Sequence, residues 1–124
     1  MVTPSAGSVV LVAFPFSDLS ASKLRPAVVI ASSGRDDWIL CQVTSNPYAD
    51  PKAIEIGDAD FASGSLQRVS FVRPGKLFTS NTSLMRAEIG HLTPSAVAKV
   101  LNAVVALLKG TETEHPTNQP KTTL

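Results

Sequence analysis

The sequence predicts a mainly β chain that closes with a single C-terminal α-helix and folds as a small antiparallel barrel. Short β-branched and aromatic runs recur at close spacing, and Pro, Gly and Asn separate them throughout. Only one stretch, near the end, has the composition and the capping residues of a helix. The 124 residues suit one domain, placed over residues 1–110, with a polar tail over 111–124 that lacks apolar anchors and is expected to be disordered.

Ser8 to Phe14 is a β-branched run introduced by Gly7 and stopped by Pro15, and it reads as a buried strand. Ser17 to Leu24 is polar and reads as a loop. Arg25-Pro26 then opens a second strand over Ala27–Ser32, and Ser33 to Asp37 turns into a third over Trp38–Thr44. Beyond Asn46-Pro47, a short strand is expected over Asp50–Ile56 and an acidic loop over Gly57–Gly64. Leu66–Val72 reads as a further strand, Pro74-Gly75 as a turn, Lys76–Ser80 as an extended piece and Met85–Glu88 as another. Thr93 is a suitable N-cap, Pro94 fits the first helical position and Gly110 fits the C′ position, which bounds a helix over Ser95–Lys109. Lys99, Asn102 and Lys109 alone interrupt its apolar sequence. One face is therefore expected to cover the barrel and another to meet a partner, a hint of a dimer.

Eleven Lys and Arg against ten Asp and Glu give a net charge of +1, so any attraction for nucleic acid has to be local. The charge is in fact polarised. Residues 36–60 hold six acids and one base, whereas residues 61–109 hold six bases, Arg68 among them, and one acid. The lone Cys41 makes no intramolecular disulfide and, with two histidines, supplies no Cys/His metal cluster; a reducing cytoplasm is the expectation. The N-terminus has no basic signal-peptide region, and the apolar stretch from Ala96 to Leu108 is too short for a membrane span.

Two positions offer chemistry. Pro26 forces Arg25 towards an extended conformation at the mouth of the polar loop, where its guanidinium fork suits a phosphate. A solvated barrel-rim arginine is the commoner reading of such a residue. Thr44-Ser45-Asn46 ends the third strand with hydroxyls and an amide that suit an anion and are equally ordinary turn formers. In a meander, the start of strand two and the end of strand three can lie side by side. His91, His115, Cys41 and the Asp36-Asp37 pair read as structural or solvated. No phosphate-cradling Gly-rich loop, zinc spacing or nucleophile elbow occurs, so metal-free, cofactor-free chemistry is expected.

The stretch from Gly7 to Ile30, with Val-Ala-Phe-Pro-Phe-Ser and Leu-Arg-Pro-Ala-Val-Val-Ile at its heart, resembles the opening of the MazF/PemK family of toxins from toxin–antitoxin modules. Val43-Thr44-Ser45, Ser70 to Thr79 and Ile89-Gly90-His91-Leu92 extend the resemblance over about residues 7–109. It implies an SH3-like β-barrel with a C-terminal helix and a homodimer. It also implies a sequence-specific, metal-independent endoribonuclease that cuts single-stranded RNA at short sequences and is neutralised by a cognate antitoxin, DNA being met only through the antitoxin complex. Arg25 and Thr44 match the family's catalytic arginine and its catalytic threonine or serine. Phe16, Ser17, Lys23, Ser45, Asn46 and Arg68 are the corresponding candidates for substrate binding. The loop from Ser17 to Lys23 has Lys23 as its only base, fewer than the family commonly carries there. A non-catalytic relative on the same fold, like the gyrase-poisoning CcdB proteins, is the alternative, and fold alone does not separate the two.

Overall fold

The computed structural model describes residues 2–15 and 22–111 of the chain. Strands β1 (Ser8–Pro15), β2 (Ser22–Gly34), β3 (Asp37–Thr44), β4 (Ile54–Ile56), β5 (Phe61–Gly64), β6 (Ser70–Asn81) and β7 (Met85–Leu92) precede helix α1 (Pro94–Lys109). All pair antiparallel in one sheet of order β4-β6-β3-β2-β1-β7-β5.

The two edges of this sheet, β4 and β5, are consecutive in sequence, which forces the sheet to curl. Laid flat, seven strands would span about 29 Å from edge to edge. The chain from Ile56 to Phe61 reaches at most about 18 Å even when fully extended, and here it includes a 3₁₀ turn at Asp58–Asp60. Register shifts within the β1–β7, β2–β3 and β3–β6 ladders supply the bends. The product is a curled antiparallel half-barrel.

Alternation along the central strands divides the core in two. Val9, Val28, Cys41, Val43 and Val72 join Leu92 and the helix residues Ala96, Val100 and Val104 in one cluster. Their neighbours Val10, Val12, Ala27, Val29 and Leu40 form a second cluster with Met85. Burial on both faces explains why β1 and β2 read as continuous apolar runs rather than as an apolar–polar alternation. The cap residues of α1 act as expected: Thr93 Oγ1 accepts the Ala96 N–H, and Gly110 takes the left-handed conformation at φ 70°.

The structure corrects several element assignments. β2 begins at Ser22, so Lys23 and Leu24 are strand residues paired with Phe14 and Ala13, and Arg25 lies inside the strand rather than at its mouth. The β2–β3 ladder starts only at Ala27, after Pro26. Gly57–Gly64 is not wholly loop, because its second half is β5. Residues 50–53 are turn, which leaves β4 with three residues, and Leu66–Val69 is irregular. Pro74-Gly75 does not end a strand. β6 runs through it, and the β3 partners jump from Val72 to Leu77, so the dipeptide occupies a bulge where no ladder hydrogen bond is required. The expected tail lies outside the described residues from position 112 onward. Among the described residues, no helix is long and apolar enough to cross a membrane.

Candidate functional site

The ends of β2 and β3 that were expected to converge do so. The β2–β3 ladder begins with Ala27 opposite Gln42, two residues short of Arg25 on one strand and of Thr44 on the other. Both side chains line an open cleft of about 550 Å³, together with Lys23, Ser45 and Arg68. Leu11, Pro26, Val43, Leu66 and Ile89 give this cleft an apolar component. Phe16 and Ser17 lie outside the described residues. Asn46 does not line the cleft and acts instead on the backbone beside it.

Three cations, Lys23, Arg25 and Arg68, border the cleft, and among the described residues no carboxylate does. Arg25 is half-buried, with its Nε shielded from solvent, and its backbone is held opposite Val12 of β1. A guanidinium so anchored presents its fork with less rotational freedom than a rim arginine in open solvent. The surrounding apolar surface lowers the local dielectric and strengthens attraction to an anion.

Thr44 is positioned through its own hydroxyl. Its Oγ1 donates to the Asn46 carbonyl at 2.9 Å and accepts the Asn46 N–H at 3.1 Å, which turns the chain sharply at the end of β3. That leaves the oxygen one acceptor lone pair. The Asn46 carboxamide continues the turn, its Oδ1 accepting the Tyr48 N–H at 2.9 Å.

Sequence reasoning missed two lining residues, Tyr48 and Gln67. Both have left-handed backbones, at φ 54° and 65°, and both are exposed. Asp50 braces the loop that carries Tyr48. Its Oδ2 accepts from Arg73 Nε at 2.9 Å and its Oδ1 accepts the Lys52 N–H at 2.9 Å. The Arg73 hydrogen bond holds the Asp50 carboxyl below its ordinary pKa, and the Lys52 N–H adds to the effect against a smaller opposing cost of burial. On the other lip, Ser65 Oγ accepts the Gln67 N–H at 2.8 Å and donates to Asp58 Oδ1 at 2.9 Å.

Of the remaining candidates, His115 lies outside the described residues, and Cys41 and His91 have structural surroundings. Cys41 is fully buried, which pushes its thiol pKa up to about 12. His91 faces Glu88 at 3.6 Å, and Glu88 in turn accepts from the buried Ser8 hydroxyl. Among the described residues, no group of three or more His, Cys, Asp or Glu is arranged to hold a metal ion.

The sequence pattern of the PemK-like, MazF-like toxins of type II toxin–antitoxin systems matches residues 5–108. The chain belongs to this family. Solved structures agree in fold. A MazE–MazF complex from Deinococcus radiodurans superposes with a TM-score of 0.69 at 19% identity, over 88% of this chain and 98% of that one. MazF from the same organism gives 0.67 at 21% identity, over 88% and 99%. A mycobacterial endoribonuclease bound to its cognate antitoxin gives 0.66 at 17% identity, over 86% and 96%. No curated protein sequence matches at a significant level. The family toxin is thus a curled β-sheet with one terminal helix, and its cationic cleft lies where β2 begins and β3 ends.

Proposed function

We propose that this MazF/PemK-family toxin is an endoribonuclease that cuts single-stranded RNA in the cleft between Arg25 and Thr44. The observation that carries the reading is the convergence of three cations and a strand-end hydroxyl on one cleft that, among the described residues, no carboxylate lines. A polyanion with a reactive hydroxyl beside each phosphate fits that chemistry; a carboxylate-rich substrate pocket does not.

In the proposed reaction the ribose 2′-oxygen attacks the adjacent phosphorus and the bond from phosphorus to the 5′-oxygen breaks. A proton leaves the 2′-oxygen and one is gained by the 5′-oxygen, giving a 2′,3′-cyclic phosphate and a 5′-OH. Arg25 stabilises the charge that gathers on the phosphorane, with Lys23 and Arg68 neutralising flanking phosphates. A guanidinium has no acceptor lone pair to offer, so Arg25 is not the base that takes the 2′-proton. The lone pair left on Thr44 Oγ1 accepts from the 2′-OH and orients it for in-line attack. DNA, lacking that hydroxyl, is not cut.

As a toxin of a two-component system, the protein is inhibited by an antitoxin whose acidic segment covers the cationic cleft. In this reading it works in the cytoplasm as a homodimer. The exposed stripe Leu101, Val105 and Leu108 on α1, spaced four and three residues apart, supports the pairing of two copies.

The test is incubation of the protein with a long single-stranded RNA in EDTA. Discrete cuts ending in cyclic phosphate are expected, with Arg25→Ala slowing cleavage by about 10²-fold or more, the usual cost of removing one preorganised charge-stabilising donor. An RNA left whole, or cut equally by Arg25→Ala, overturns the reading in favour of a CcdB-like toxin with a protein target.

A further inference from the structure

Tyr48 is a large aromatic side chain left 63% exposed at the wall of the cationic cleft, on a backbone that resists the placement. Tyr48 and Ala49 are two consecutive non-glycine residues in the left-handed region, at φ 54° and 57°, a conformation that L-residues adopt at a cost. Three interactions hold them there. The Asn46 carboxamide accepts the Tyr48 N–H, Pro47 O accepts the Asp50 N–H at 2.9 Å, and the Asp50 carboxylate is tied to Arg73. The Arg73 guanidinium also stands 5.7 Å from the centre of the Tyr48 ring. A cation on one side of the ring and solvent around most of the rest make a platform that is rigid before any ligand arrives.

Gln67 lines the same cleft from the loop between β5 and β6. It too has a left-handed backbone, latched by the hydrogen-bonded series Gln67 N–H, Ser65 Oγ and Asp58 Oδ1. Its side-chain amide carries donors and an acceptor on one planar group. Neither residue is needed to fill a core. Both are held at the cleft by loops that are internally braced.

We propose that Tyr48 and Gln67 form a nucleobase subsite beside the reacting phosphate, Tyr48 stacking on the base and Gln67 hydrogen-bonding to its edge. This deepens the ribonuclease reading and rests on it. A phosphate-binding cleft alone grips every nucleotide alike; an aromatic platform beside an amide selects one. Single-stranded RNA is the form that offers an unstacked base for such a site. The order from the loop outward is guanidinium, phenol ring, base.

The test separates binding from cutting by using a short single-stranded RNA, 2′-O-methylated at every ribose and so uncleavable, with a fluorescent label read by anisotropy. Tyr48→Phe is expected to bind like the parent. Tyr48→Ala and Tyr48→Leu are expected to bind about 5- to 100-fold more weakly, the range of one lost base–aromatic stack, with Tyr48→Leu retaining bulk without a π-face. A scan of abasic substitutions along the RNA adds the decisive comparison. One position is expected to cost the parent a similar factor and to cost Tyr48→Ala less, because the stacking partner of that base is already gone and only the Gln67 contact remains to be lost. Gln67→Ala is expected to change the preferred base at that same position. Equal binding by Tyr48→Ala and the parent, or an abasic profile unchanged in Tyr48→Ala, overturns the subsite while leaving the ribonuclease reading standing. If the parent binds neither this RNA nor an unmodified strand, and leaves the unmodified strand uncut, the ribonuclease reading fails and the subsite falls with it.

Discussion

Replacing Asp50 by Ala removes two acceptors at once, the Oδ2 that meets Arg73 Nε at 2.9 Å and the Oδ1 that meets the Lys52 N–H at 2.9 Å. The Asp50 and Arg73 side chains are 17% and 18% exposed, so solvent screens the pair only in part. Hydrogen bonds to a charged group contribute about 1.5–3 kcal/mol each when well shielded, and the residual exposure brings the expected loss for both together to about 2–3 kcal/mol. For a domain of this size that lowers the melting temperature by about 10 °C near neutral pH. The sign of the pH dependence follows from the lowered Asp50 pKa. Its contribution is present above the ordinary carboxylate value, about 3.9, and is lost as pH falls through the lower folded value. The gap between parent and variant should therefore be constant from about pH 5 to 8 and shrink in acid. Thermal melts of Asp50→Ala, Arg73→Ala and the double variant, followed by circular dichroism across that range, measure both the loss and the coupling. A melting temperature unchanged at neutral pH, or single losses that simply add in the double variant, would refute the brace.

Gly64→Ala should destabilise the fold by about 2 kcal/mol or more, because a Cβ at φ 72° would run into the Ile89 carbonyl and lie 2.5 Å from Gly90 Cα; urea unfolding reads the loss. The Cys41 thiol should ignore a thiol-specific reagent at mildly alkaline pH and react once urea unfolds the chain. Its pKa, raised from 9.0 to about 12, also means that stability present below the unfolded value is lost as pH climbs towards 12. Leu101→Lys, on the exposed stripe of α1, should convert a sedimenting dimer to monomer without changing the thermal melt of dilute protein; sedimentation identical to the parent would remove the helix from the interface.

The legible parts of the fold are those whose signal is local. β1, β3 and α1 announce themselves through β-branched runs and through Thr93, Pro94 and Gly110, each used where its chemistry fits. β5 was hidden because Phe-Ala-Ser-Gly has no strand-forming run. It exists through its pairing with β7, where Gly90 makes room for Phe61: a Cβ there would lie 2.7 Å from the ring. Pro74-Gly75 misled for the opposite reason. A strong turn signal was overridden by the tertiary need for one long bent strand that pairs with both β3 and β4. In the cleft, strand order allowed Arg25 and Thr44 to be neighbours, and the family resemblance singled them out over a rim arginine and a turn former. Tyr48 and Gln67 were not legible, since a left-handed tyrosine or glutamine has no composition to betray it. The preceding Asn46-Pro47 was the available cue, an amide able to hold the turn that presents the ring.

The polarised charge of the sequence acquires a physical meaning once the carboxylates are traced. The acidic stretch is largely consumed inside the fold. Asp37 accepts from Asn81, Asp50 from Arg73, Asp58 from Ser65 and Asp60 from the Gly57 N–H. These bonds fasten the hairpin that begins β3 and the loops that flank the cleft, and none of the four carboxylates lines the cleft itself. The cleft-lining cations Lys23, Arg25 and Arg68 concentrate positive charge there, although the whole chain is nearly neutral. Three such cations are few for the proposed RNA cleavage. Neutralising three phosphates of a single strand gives a salt slope of about −2, a modest electrostatic share of affinity. Phosphate attraction at that level brings a strand in but does not hold it in one register. On the proposed reading, holding it falls to contacts that salt does not screen, and the exposed aromatic at the cleft wall is the side chain proposed to make them.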